Sequence, residues 1–338
     1  MKVLPKNKVE ALLDWLAEKG EVYVPMNQGV TSEFGLWSPD TKGQLDLHSL
    51  NTLLSPKAVV LPQTERMYTF VAAGPEAEVT GVCEQSGNRF LFGIRACDSK
   101  ALAALDLVFL TRGYEDGFYK ARREGLAVIG RACAKPGPNC FCQAMGVNPL
   151  EPEACDVIIY DLSDGDFGWE ARTEKGESLT RELGDILTEK SFDKPQLGAF
   201  STSINTEGLS EKLATMFEDP VWDELASPCM NCGICTYLCP SCYCFDIQVK
   251  TRGSEGYRFR CWDSCMYPEY TQMAGGHNPR ERKQDRFRNR FLHKLEFFCE
   301  RYGTFLCTGC GRCIVFCPQG INILSIINRL QEVNADVR

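Results

Sequence analysis

The spacing C-x2-C-x2-C-x3-C-P occurs twice, as Cys229-Met-Asn-Cys232-Gly-Ile-Cys235-Thr-Tyr-Leu-Cys239-Pro240 and as Cys307-Thr-Gly-Cys310-Gly-Arg-Cys313-Ile-Val-Phe-Cys317-Pro318. Three thiolates this close together reach three irons of one cubane, while the fourth, followed by proline, is carried away to the neighbouring cluster. The spacing therefore assigns Cys229, Cys232, Cys235 and Cys317 to one [4Fe–4S] cluster and Cys307, Cys310, Cys313 and Cys239 to a second. A pair of four-cysteine zinc sites is the competing reading. Zinc sites use two C-x2-C pairs, however, and have no use for a third and fourth cysteine plus proline twice over. Gly233, Gly309 and Gly311 suit loops that pack their amides against cluster sulfurs, and equally suit ordinary turns.

The rest of the chain is read outward from these motifs. Of 19 cysteines, 13 lie from Cys229 to Cys317, leaving Cys83, Cys97, Cys133, Cys140, Cys142 and Cys155 for the first 228 residues. The charged N-terminal stretch lacks the apolar core of a secretory signal, and no run approaches the roughly 20 apolar residues of a membrane span. A soluble, cytoplasmic protein is expected, in which so many thiols mean metal or redox chemistry rather than disulfides. Only His48, His277 and His293 are available as imidazole ligands, so the metal chemistry is mostly sulfur-ligated. A net charge of −8 weighs against nucleic acid as a partner, since phosphate binding wants a basic surface.

The shift in cysteine density near Ser227–Pro228 divides the chain into an α/β domain over 1–225 and a metal-binding domain over 226–338. Val9, Leu12, Leu13 and Leu16 form a helical stripe ended by Gly20. The apolar runs AVVLP (58–62), RFLFGI (89–94), LAVIG (126–130) and DVIIY (156–160) read as buried strands, and SKALAALDLVFL as a helix. In the second part, Phe287, Phe291, Leu295 and Phe298 share one face of a helix over 280–300, and INILSIINRLQEV is a further helix, so this part reads as mainly helical. Between Cys239 and Cys307 lie 67 residues, far more than a compact ferredoxin uses. This insert carries Cys242, Cys244, Cys261, Cys265 and Cys299, which either bind a further centre or are small buried residues. The segment 280–301 has eight basic residues against four acidic ones. It reads either as a solvated helix face or as a basic surface that steers an acidic partner or holds the charge of reduced clusters.

Two groups of residues follow predicted strands in the first part. Cys97, Asp98 and Ser99 start a helix after the 89–94 strand, where free amides favour an anionic group. Cys133, Cys140 and Cys142 follow the 126–130 strand. Consecutive strand ends of an α/β sheet open onto one crevice, so Cys97, Cys133, Cys140 and Cys142 form a candidate third cluster site, with Asp98 as a spare oxygen ligand. Thiols lining a docking surface, or simple packing, are the alternatives.

Together SPKAVVLPQTE, FGIRACDSKAL, CFCQAMG, CxxCGxCxxxCPSCYCFD, RCWDSC, GHNPRERKQDRFRNRFLHK and CTGCGRCIVFCP resemble the iron–sulfur β subunit of cytosolic NAD(P)-linked [NiFe] sulfhydrogenases and the related A subunit of anaerobic sulfite reductases. The likeness covers nearly the whole chain. It implies a C-terminal dicluster domain of the α-helical ferredoxin type, and the same eight cluster cysteines. It also implies a non-catalytic electron-transfer role in an anaerobic hetero-oligomer, between an FAD- and NAD(P)H-binding subunit and a catalytic subunit. That catalytic subunit is a hydrogenase, a sulfite reductase or a heterodisulfide-reductase-type enzyme. The chain has no strand-linked G-x-G-x-x-G and no P-loop, so dinucleotide chemistry belongs to partners. The rival reading is a stand-alone iron–sulfur oxidoreductase with its substrate site in the α/β domain; a redox-sensing regulator is weakened by the charge.

Overall fold

In the computed structural model, which describes residues 1–73, 76–81 and 87–333, Cys83 lies outside the described residues. Its strands, in chain order, are β1 (Lys2–Leu4), β2 (Glu21–Asn27), β3 (Ser32–Leu36), β4 (Thr64–Ala73), β5 (Glu76–Gly81), β6 (Arg89–Arg95), β7 (Leu126–Arg131), β8 (Val157–Asp161), β9 (Phe167–Ala171), β10 (Thr188–Glu189), β11 (Phe245–Arg252) and β12 (Glu255–Trp262). They form one sheet of eight strands, ordered β10-β1-β9-β8-β7-β6-β2-β3, and one of four, ordered β11-β12-β4-β5.

The centre of the large sheet, β2-β6-β7-β8, is parallel. Parallel strands are covered on both faces, which is why their sequences are continuous apolar runs rather than alternating ones. Alternate residues still go to opposite layers. Phe90, Phe92, Ala127, Ile129, Val157 and Ile159 pack under the Val9–Ala17 helix, through Leu12, Leu13 and Leu16. Leu91, Leu126, Val128, Ile158 and Tyr160 face the other way, onto Leu102, Leu105 and Phe109 of the Ala96–Phe109 helix.

The run at 58–62 departs from its predicted strand. Pro56 opens a 3-10 turn over Pro56–Val59, and Val60 and Leu61 are buried as loop residues against the second layer. Its apolarity signals burial, while the flanking prolines deny it a ladder.

The C-terminal part is helical only in part. Its β11–β12 hairpin pairs through β12 with β4, so the small sheet is built from both halves of the chain. The expected helix over 280–300 is a continuous helical rod: Lys283–Leu292, a π turn over His293–Phe297, and Phe298–Tyr302. Its predicted stripe of Phe287, Phe291, Leu295 and Phe298 is fully buried. The π turn has a structural consequence, because the Lys294 carbonyl accepts the amides of Leu306 (3.0 Å) and Cys307 (3.4 Å) and so anchors the second cysteine loop. π turns of this kind occur often at functional sites.

Candidate iron–sulfur sites

The two cysteine repeats fold alike. Each begins as an extended loop and turns at a glycine in the left-handed region, Gly233 (φ 76°) or Gly311 (φ 77°), into one turn of helix, Ile234–Tyr237 or Arg312–Val315. Two residues earlier, Asn231 (φ 56°) and Gly309 (φ 65°) are also left-handed. Asparagine tolerates this region as glycine does. The glycine at 309 has a second reason, since a Cβ there would stand 2.5 Å from the backbone of Cys142.

The repeats exchange their last cysteines. Cys229, Cys232 and Cys235 line one cavity together with Cys317, and Cys307, Cys310 and Cys313 line a second together with Cys239. A third cavity is lined by Cys97, Cys133, Cys140 and Cys142. Its construction follows from the sheet: Arg95 and Arg131 are register partners at the ends of β6 and β7, so Cys97 and Cys133, two residues beyond each, emerge side by side. The three cavities form a row with common walls. Arg290 and Cys313 line both the first and second, and Gly309 and Cys310 both the second and third.

Asp98 does not join the third group. Both its oxygens accept from the guanidinium of Arg312, at 2.6 and 2.8 Å, in a bidentate pair whose side chains are each 2% exposed. The structure thus departs from the spare-ligand expectation: a carboxylate beside a buried arginine is committed to that charge. Arg312 is also tied to the Thr52 carbonyl, while Asn51 donates to the Cys310 carbonyl and accepts weakly from the Cys97 thiol. These contacts join the second cysteine loop to the strand-end site.

Three observations bear on what the cavities hold. Among the described residues, no group of three or more His, Cys, Asp or Glu side chains is arranged to hold a single metal ion. Burial raises the thiols of Cys142 and Cys313 to about 12 and of Cys307 to about 11. Bringing such groups together as thiolates requires compensating positive charge, which iron supplies. Arg290 Nε and Thr308 Oγ1, both on the wall of the second cavity, are buried donors with no protein acceptor; cluster sulfides are acceptors of the right kind. The residues fit the group.

The basic segment divides: Arg286, Arg290 and Lys294 are buried and form no docking surface, while Arg282 and Arg301 stay exposed. Arg286 donates to the carbonyls of Met266, Arg280 and Glu281, and Arg288 pairs with Asp285 and lies over Phe217. Arg290 and Lys294 are 5% and 3% exposed. Lys294 Nζ donates to Cys239 Sγ at 3.1 Å and to Ser241 Oγ at 3.3 Å. Burial works against its charge, yet the Cys239, Cys242 and Cys307 sulfurs raise its pKa well above the ordinary lysine value. Lys57, also buried, donates to the carbonyls of Cys239 and Cys242. The signal for Arg290 and Lys294 was present in the helix phase, since each stands three residues beyond a phenylalanine of the buried stripe. Lys57 and Asn51 carried no such signal.

Two cavities, each lined by one cysteine triplet and the last cysteine of the other repeat, define an iron–sulfur electron-transfer protein of the dicluster class, and the family described as "4Fe-4S dicluster domain" matches residues 228–321. Such a domain carries two [4Fe–4S] clusters. Over 329 residues, 94% of this chain and 94% of the relative, the sequence is 33% identical to sulfhydrogenase 2 subunit beta of Pyrococcus furiosus. The chain belongs to the sulfhydrogenase β-subunit family. No solved structure matches it, and among the described residues no helix is long and apolar enough to cross a membrane.

Proposed function

We propose that this chain relays electrons inside an anaerobic hetero-oligomeric oxidoreductase, between an FAD- and NAD(P)H-binding subunit and a catalytic subunit such as a hydrogenase. In this reading Cys229, Cys232, Cys235 and Cys317 hold one cluster of an α-helical ferredoxin-type domain. Cys307, Cys310, Cys313 and Cys239 hold the other. Cys97, Cys133, Cys140 and Cys142 hold a third at the strand ends of the 1–225 region. The observation that carries the proposal is the row of three cysteine-lined cavities with shared walls. A relay needs closely spaced centres from one face of the protein to another, and an enzyme with one substrate site does not.

The clusters supply one-electron redox chemistry; the chain's own residues fix where that chemistry sits. Thiolates hold the irons, and loop amides donate to sulfur, as Asn231 N does to Cys229 Sγ (3.4 Å) and Ile321 N to Cys317 Sγ (3.3 Å). Arg290 and Lys294 offset the negative charge that reduction adds.

The test is iron and sulfide analysis of the anaerobically purified chain, alone and as Cys140→Ser. Loss of one cubane's iron in the variant is expected, with the remaining clusters intact by electron paramagnetic resonance. Unchanged iron removes the third centre from the relay. Oxidation of NAD(P)H by the purified chain without other subunits would count against the relay itself.

A further inference from the structure

Five cysteines of the insert take no part in the three cavities, and two of them meet. Cys244 precedes β11, Cys265 follows β12, and the hairpin ladder continues past its end through a bond from the Asp263 amide to the Cys244 carbonyl (3.0 Å). This places the two thiols close enough to interact with each other. Both line a cavity of about 290 Å3 that also receives Tyr270, His293, Arg280 and Arg301. That volume lies at the lower end of the range for small-molecule sites. His293 is held by Tyr243, with Nε2 3.0 Å from the hydroxyl. Beside the pair in sequence, Cys242 feels the charge of Cys244 and is hydrogen-bonded to Cys239, on the wall of the second cluster cavity. Within six residues, from Cys239 to Cys244, the chain thus runs from the wall of that cavity to the wall of the pocket.

We propose that Cys244 and Cys265 are a redox-active dithiol that reduces a small anionic organic disulfide bound in this pocket, drawing its electrons from the second cluster. The inference rests on the cluster reading above. The two cysteines differ in the way such chemistry requires. The Cys265 thiol, donating to Cys244, lowers the Cys244 pKa to about 6 against the opposing effect of burial, with the Tyr270 hydroxyl a second donor. The Cys265 thiol is raised by the same contact and by burial. Cys244 is the attacking thiolate and Cys265 the resolving thiol.

Cys244 Sγ attacks one sulfur of the substrate R–S–S–R; the S–S bond breaks, a mixed disulfide forms, and RS⁻ leaves and takes a proton. Cys265, deprotonated, attacks Cys244 Sγ, releases the second RSH and closes a Cys244–Cys265 disulfide. The substrate has gained two electrons and two protons and the dithiol has lost them. Two electrons, which the second cluster would supply one at a time, and two protons from the solvent-connected pocket would restore the dithiol. Arg280 and Arg301 select the charge of the substrate, as cationic walls concentrate anions.

The full chain, purified anaerobically with iron quantified first, is reduced with dithionite. It is then exposed to the dianion 3,3′-dithiodipropionate or the dication cystamine, quenched with iodoacetamide and mapped by mass spectrometry. The expected result is a Cys244–Cys265 disulfide in place of two alkylated residues, formed about tenfold or more faster with the dianion. It should be absent in Cys244→Ser and Cys265→Ser, which keep the iron of the parent chain. Alkylation of both cysteines regardless of the disulfide overturns the proposal, as does loss of iron in Cys244→Ser, which would make this sulfur a cluster ligand. Equal rates with the two probes overturn the anionic substrate class. A chain that arrives without iron refutes the cluster reading instead, and the alkylation readout still decides the dithiol after chemical reduction.

Discussion

The first two cysteine cavities and the third are built on opposite principles. Each of the first two draws three thiols from seven consecutive residues in a loop whose shape is set locally, by a left-handed turn and a glycine. The third collects thiols from two parallel strand ends and a following loop, and it exists only because β6 and β7 are register partners. Their electrostatics differ as well. The second cavity has Arg290 and Lys294 within its walls, while the third has Arg95, whose guanidinium donates to the Ser49 and Ala132 carbonyls, with Arg312 nearby already matched by Asp98. A locally coded site tolerates insertion of a long segment between its halves. A strand-end site depends on the whole sheet.

This contrast can be broken most directly at the cysteines. Cys232→Ala and Cys310→Ala should each remove one whole cubane while leaving the other C-terminal centre, as read by iron, sulfide and electron paramagnetic resonance. If either variant empties both, the two sites are one cooperative unit rather than two local ones. The C-terminal fold should also lose stability, because bound metal contributes folding free energy in small metal domains.

The joint between the two kinds of site is the next target. Asp98→Ala leaves Arg312 buried without its partner, and an unpaired buried charge costs about 3–5 kcal/mol. The anaerobic thermal midpoint should fall accordingly. Replacing both residues, as Asp98→Ala with Arg312→Met, should recover much of the loss, because the desolvation of the charge disappears with it. A double variant no better than the single one would mean that Arg312 matters chiefly through its bond to the Thr52 carbonyl.

The smallest expected effect tests the charge difference. Lys294→Met removes a positive charge next to Cys239. It should lower the reduction potential of the second cluster by on the order of 100 mV, for a unit charge about 5 Å away at an effective dielectric constant of about 20. The third centre should shift much less. Potentiometric titration followed by electron paramagnetic resonance measures both, and equal shifts would erase the distinction drawn between them.

The chain order of the cysteines leads one to expect Cys317 with the first triplet and Cys239 with the second, because three-residue spacing followed by proline leaves the fourth thiol little choice of direction, and the cavities group these cysteines in the same way. The parallel strands and their helices were likewise legible, since burial on both faces writes continuous apolar runs into the sequence. The run at 58–62 misled for the same reason: it is equally buried, and only its prolines separate it from a strand. Other features were decided by packing at long range. The β11–β12 hairpin joins β4 across most of the chain, and no local pattern encodes a partner that distant. Asp98 faces Arg312, 214 residues away, instead of the cysteines beside it. Arg290 and Lys294 point inward because the helix phase that buries Phe287 and Phe291 carries them along, towards sulfurs whose charge repays their desolvation. Periodicity and spacing are properties of short segments and survive in the sequence. Which distant segments share a wall depends on the free energy of the assembled core, and that is settled only when the chain has folded.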